Sequence, residues 1–262
     1  MVKSNNTNSF QEGVDENPLC AMILGSMKKF RKNLAFTLAE VLITLGIIGI
    51  VAAMVIPSLI NAYQKHVTVT RLKQTYAQLK QAVKLSEGEN GDVTGWDMST
   101  PNFNGYYIAA SEKFAKAYII PYLKYNYICD GNKSYCAYNN YGLNGRNISG
   151  VKKLYGIVLL NGVIVRFWPR NHFTEMLVDI NGSSGPNISG KDLFSILIMQ
   201  RAENSVIGTN NAPGVYLYGE GKERNVLLEH KYGCNKTGNF AGNYCGALIK
   251  EDGWKISKDY PW

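Results

Sequence analysis

Apolar residues run almost unbroken from Phe36 to Ile60, and Glu40 is the only charge among them. At about 1.5 Å per residue, a helix of that length crosses a hydrocarbon core of about 30 Å. Pro57 lies near the end of the run, where a missing N–H predicts a bent or loosened helix. After it the continuous pattern becomes a periodic one. Leu72, Tyr76, Leu79 and Val83 recur at helical steps, and Arg71, Lys73, Gln78, Lys80 and Gln81 fall mostly off that face. This is the signature of an amphipathic helix packed against a partner. The stretch "EGENG" (87–91) ends it. The pattern predicts one long helix, membrane-bound over 36–60 and amphipathic over 61–90.

From Gly91 onward the chain is rich in Gly, Asn and Tyr, with short β-branched and aromatic runs. "KLYGIVLLNGVIVRFW" carries two such runs around Asn161-Gly162, a strong hairpin signal. "FTEMLVDI" (173–180) predicts a third strand, antiparallel by adjacency. A short helix is expected around Cys245 to Lys250, and Trp254, Tyr260 and Trp262 are expected to seal a sheet edge. The fold class is α+β: a long N-terminal helix packed on a small antiparallel sheet head, residues 91–262, in which the sheet covers the amphipathic half of the helix.

Composition places the chain among globular proteins, with 45% hydrophobic and 18% charged residues. The net charge of +8 is partly local, since Lys28, Lys29, Arg31 and Lys32 precede the apolar run. Such a modest excess is weak support for nucleic-acid binding. By the positive-inside rule the same cluster puts the N-terminus in the cytoplasm and the head outside it. Four of the five cysteines pair by spacing, Cys129 with Cys136 and Cys234 with Cys245, while Cys20 stands upstream of the span. A zinc ribbon would want CxxC-type knuckles, so two short-loop disulfides in an oxidising compartment are the favoured reading. Met27 begins a basic stretch and reads as a physiological start, with 1–26 as an upstream extension.

A glutamate inside an apolar span is costly and so usually functional. A cleaved secretory signal would have a shorter apolar core and a small-x-small site, and a simple anchor leaves Glu40 unexplained. "KKFRKNLAFTLAEVLITLGIIGIVAAMVIPSLI" resembles the class III signal of type IV pilins, type II secretion pseudopilins and competence pilins. The resemblance implies a leader, 1–35, cut by a prepilin peptidase between Ala35 and Phe36, with N-methylation of Phe36. Ala35 departs from the commoner glycine at the leader's end. Glu40 is then the fifth residue after the cut (40 − 35) and Pro57 the twenty-second (57 − 35), both positions the family uses. In a filament Glu40 would meet the α-amino group of a neighbouring subunit, so that each buried charge has a partner and axial register is set. Implied partners are the peptidase, other pilin subunits, the membrane and an inner-membrane assembly platform.

Asp179, Asn181 and Asp192 could offer oxygen ligands to Ca²⁺ from the Gly-rich stretch 178–194, an expectation the resemblance strengthens; plain turn chemistry is the rival. "GPNISGKD" (185–192) fits G-x-x-x-x-G-K but ends in Asp where a P-loop needs Ser or Thr, so nucleotide binding is rejected. HExxH and GxSxG patterns are absent, and His172 reads as a turn residue rather than a general base. The Tyr-rich segment near Lys113, Lys116, Lys124, Lys133 and Arg146 could grip single-stranded DNA or glycans, but packing is the favoured role. The function expected is therefore a non-enzymatic filament subunit. The contrasting reading is a membrane-anchored binding protein or a competence-type minor pilin.

Overall fold

The computed structural model describes residues 37–99, 107–130, 136, 139–148, 154–201 and 212–262. Ala35, Phe36, Cys20 and Lys133 lie outside the described residues. The chain divides into two units, 1–55 and 56–262. In the first, the described residues are the start of helix α1 (Leu38–Asn90), whose apolar side chains are exposed, Leu45 at 60% and Ile48 at 63%. Among the described residues α1 is the one helix long and apolar enough to cross a membrane.

Local chemistry sets both ends of α1. Thr37 precedes the first turn and Glu40 stands three residues on, the pattern of a capping box. Gly91, at φ +78°, takes the left-handed conformation that stops a helix at no Cβ penalty. The Trp96 indole N–H then donates to the Gly91 carbonyl at 2.9 Å and stacks on Tyr118 with ring centroids 4.6 Å apart. Pro57 has no N–H to donate, yet the helix continues through it.

In the second unit, α2 (Tyr107–Tyr118) leads to a six-stranded sheet: β1 (Tyr125–Cys129), β2 (Gly156–Leu159), β3 (Ile164–Pro169), β4 (Phe173–Asp179), β5 (Leu193–Met199) and β6 (Gly214–Leu217). The strands follow chain order and every pairing is antiparallel, so the sheet is a meander. Two short helices follow, α3 (Arg224–Glu229) and α4 (Cys245–Glu251). α2, β1, β5, β6 and α3 are additions to the elements expected from sequence.

Leu72, Tyr76, Leu79 and Val83 of α1 are buried as the periodicity predicts. They share one core with Ile157, Val165, Phe167, Met176, Val178, Phe194, Ile196 and Ile198, alternate positions of β2 to β5. Non-directional burial of these side chains drives the docking of helix on sheet. β5 is buried at all seven positions because its second face is covered too.

The β2–β3 turn differs from the type I′ hairpin that Asn-Gly favours. Only Gly162 has positive φ, at +82°. Its N–H donates to Leu159, while the Val163 N–H donates to the Asn161 side chain at 3.2 Å. Asn161 thus closes the turn through its amide instead of adopting the left-handed conformation.

The C-terminal aromatics pack on α1 and the 180–192 loop beside the edge strand β6. Trp254 packs on Tyr76 with centroids 5.9 Å apart, Lys65 lies over Trp262, and the Tyr260 hydroxyl donates to the Gly190 carbonyl. Flat rings beside lysine stems gain cation–π and apolar contact together, which an edge strand does not offer.

Candidate functional site

The N-terminal segment is built from the helix start. The Thr37 N–H and hydroxyl donate to Glu40 Oε2 at 2.9 and 3.0 Å, and the Glu40 N–H donates back to Thr37 Oγ1 at 3.2 Å. Two otherwise orphaned backbone donors are satisfied reciprocally, and the negative charge lies at the positive end of the helix dipole. Within one chain Glu40 therefore already has a structural role. The signal for it, Thr-x-x-Glu, was present in "TLAE" and belongs to the local chain rather than to a partner.

The head holds the residues weighed for calcium. Asp179, Asn181 and Asp192 are brought together where β4 and β5 are joined. The Asn181 N–H donates to Asp179 Oδ1 at 3.2 Å. Asp192 takes the Asn187 N–H at 2.8 Å on Oδ2 and the Ile188 N–H at 2.6 Å on Oδ1. The Asn181 side-chain nitrogen is 3.3 Å from Asp192 Oδ2. Ca²⁺ wants about six to eight oxygen ligands. Here the Asp192 oxygens accept backbone N–H groups, and the amide turns its nitrogen toward the carboxylate. As arranged, the Asp192 oxygens close the loop, while Asn181 Oδ1 and Asn187 Oδ1 are buried without a hydrogen-bond partner. Burial still pushes the Asp192 carboxyl upward, against the lowering effect of the Ile188 and Asn187 N–H donors.

The same loop meets a disulfide. Both expected bridges form, Cys129–Cys136 and Cys234–Cys245. Gly190, at φ +84°, passes so close to Cys245 that an added Cβ would lie 2.5 Å from its Sγ. Only glycine fits both the conformation and the space.

A buried carboxylate, not singled out from sequence, lies on the sheet face away from α1. Glu175 is 6% exposed in β4 and borders a cavity of about 170 Å³ with Trp168, Ser195, Tyr218, Tyr232 and Phe240. The Ser195 hydroxyl donates to it at 2.7 Å, and Arg170, stacked over Trp168 at 4.3 Å, is 3.9 Å away. Burial raises its pKa above the ordinary 4.5, although Ser195 and Arg170 pull the other way. A raised carboxyl binds its proton more tightly in the folded state, so stability is full below the unfolded value and is lost as pH rises from there through the folded value. Glu175→Gln keeps a hydrogen-bonding partner for Ser195 without the buried charge. It is expected to raise the melting temperature at pH 7 and to lose that advantage near pH 4; thermal melts across that range are the check.

His172 is exposed in the β3–β4 turn, as expected of a turn residue. Three of the cations near the Tyr-rich segment are engaged: Lys113 with Asp97 at 2.7 Å, Lys116 with Glu112 at 2.6 Å, and Arg146 with Asn239 at 2.9 Å. Among the described residues no group of three or more His, Cys, Asp or Glu could hold a metal ion.

Two family descriptions match the chain: the prokaryotic N-terminal methylation motif over residues 30–56, and the family of unknown function DUF6613 over residues 58–262. No curated protein and no solved structure matches it. The first match is the prepilin-type signal of type IV pilins and pseudopilins, and it takes in Glu40 and the apolar run as far as Ile56. The chain belongs to the family of unknown function DUF6613, with a prepilin-type signal directly ahead of the matched region.

Proposed function

We propose that the chain is a structural subunit of a type IV pilus-like or type II secretion pseudopilus filament. A prepilin peptidase cuts it between Ala35 and Phe36, Phe36 is methylated, and the N-terminal helix assembles with those of other pilin subunits. Before assembly, residues 36–60 hold the chain in the cytoplasmic membrane with the N-terminus inside and the head outside. An inner-membrane platform then lifts it into the filament.

The observation that carries this reading is the prepilin-type motif at 30–56 on a helix that runs from Leu38 to Asn90. An apolar first half that buries nothing within the chain is suited to lipid and then to a bundle of like helices. The second half spends its apolar face on the head's own sheet, which supports a head displayed on such a bundle. Mass spectrometry of the N-terminus of protein from native membranes or sheared filaments is the test. An N-methylated Phe36 is expected; an intact leader would overturn the reading.

A further inference from the structure

Residues 61–71 of α1, the 180–192 loop and Trp262 enclose a groove of about 560 Å³. Its lining includes Tyr63, Thr68, Arg71, Asn181, Lys191 and Trp262. Arg71 donates to the Ile180 carbonyl at 2.8 Å and Thr68 to the Lys191 carbonyl at 3.4 Å, so helix and loop are tied together along one wall. At the other end Lys65, half-buried, lies 5.8 Å over the Trp262 ring. Asp192 also lines the groove, but its oxygens accept the Asn187 and Ile188 N–H groups.

The groove's position along the chain is informative. Ile56, Leu59 and Ile60 are exposed and apolar, and Asn61 follows them directly. Lys65 is five residues past Ile60, about 7.5 Å along the helix axis. The polar layer of one leaflet is about 5–8 Å deep, so Lys65 and the groove's entrance fall at headgroup level when 36–60 spans the membrane. Tyr63, 66% exposed, and Trp262 are the aromatic types that favour this layer.

Charge is graded in the same sense. Residues 61–86 of α1 contain Lys65, Arg71, Lys73, Lys80 and Lys84 and no acid, while Glu87 and Glu89 come only at its far end, followed by Asp92 and Asp97. The cations of α1 thus begin five residues past the apolar span, and the acids that follow the span come only at the helix's far end.

We propose that this groove seats the phosphate of an anionic phospholipid headgroup, held by Lys191 and Arg71 of its lining and by Lys65 reaching in beside Trp262, with Tyr63 and Trp262 at the acyl boundary. The site holds the head against the bilayer. This rests on the membrane placement of residues 36–60 and not on filament formation.

The test is native mass spectrometry of the full-length chain from neutral-detergent micelles containing equal phosphatidylglycerol and phosphatidylcholine. The wild type is expected to retain phosphatidylglycerol preferentially. The double variant Lys65→Gln/Lys191→Gln is expected to reduce that preference about thirtyfold, at roughly 1 kcal/mol per lysine near an anionic surface. Equal retention of the two lipids, or a preference unchanged in the double variant, overturns the site. So does displacement of the lipid by millimolar inorganic phosphate, which would mark a soluble-anion site. Alkaline extraction of native membranes runs in parallel. A chain that washes out refutes the membrane placement itself, whereas one that stays but shows no preference refutes the lipid site alone.

Discussion

Glu40→Gln leaves the chain in the membrane and lowers the assembled-to-membrane ratio by about a hundredfold or more. Stranding one member of a buried ion pair costs about 3–5 kcal/mol, and each 1.4 kcal/mol is a factor of about ten. Glutamine is the right replacement because of what the helix start shows. Thr37 and Glu40 cap each other, and glutamine at the same position completes a capping box as glutamate does. Glu40→Ala would remove the charge and the cap together and could not separate them. Glu40→Gln removes the charge alone, and Thr37→Ala removes the cap, worth about 1 kcal/mol, while keeping the charge. The pairing role requires Glu40→Gln to fail in assembly and Thr37→Ala to assemble nearly normally. Immunoblots of sheared and membrane fractions give the ratio, and a normal ratio for Glu40→Gln would sink the pairing of Glu40 with a neighbour's Phe36 amine.

Leu79→Ala destabilises the head by about 2–5 kcal/mol, whereas Leu85→Ala changes it by about 0.5 kcal/mol or less. The two leucines lie six residues apart on one helix and differ only in the face they occupy. Leu79 is fully buried in the core shared with β2 to β5, and Leu85 is 51% exposed. Truncating Leu79 removes apolar contact and leaves a cavity that the close-packed sheet cannot collapse to fill. Thermal unfolding of the full-length chain in detergent reads both. Equal effects would mean that α1 docks on the sheet through another face.

Much of this was legible locally. The unbroken run to Ile60 and the later four-three-four spacing give a helix that changes environment midway, and α1 does so. Cys129–Cys136 and Cys234–Cys245 were readable because the partners are close in sequence. The strands β2 to β4 were readable because adjacent antiparallel strands need only a turn between them. β5, "LFSILIM", is apolar at six of seven positions. Such a run carries no alternation to mark it, since burial on both faces erases the period of two. The capping role of Glu40 was written in "TLAE" and stands beside the proposed pairing with a neighbouring subunit.

Elements whose causes lie within a few residues are readable along the chain: the length of α1, its cap and its glycine stop, the hairpin at Asn161-Gly162, and the prepilin-type signal. Which partner each distant polar or aromatic group takes is settled by packing in three dimensions. Asp192 accepts the Asn187 and Ile188 N–H groups because the loop folds back on it, a contact no local spacing announces. Trp254 and Trp262 could have covered a strand, and α1 offered them lysine-flanked surface instead. Glu175 looks like an ordinary solvent-facing strand residue until the segment carrying Tyr232 and Phe240 closes over it. The physical reason is the same in each case: burial and hydrogen bonding depend on what the fold brings within a few ångströms, and a one-dimensional pattern contains the demand for a partner but not its address.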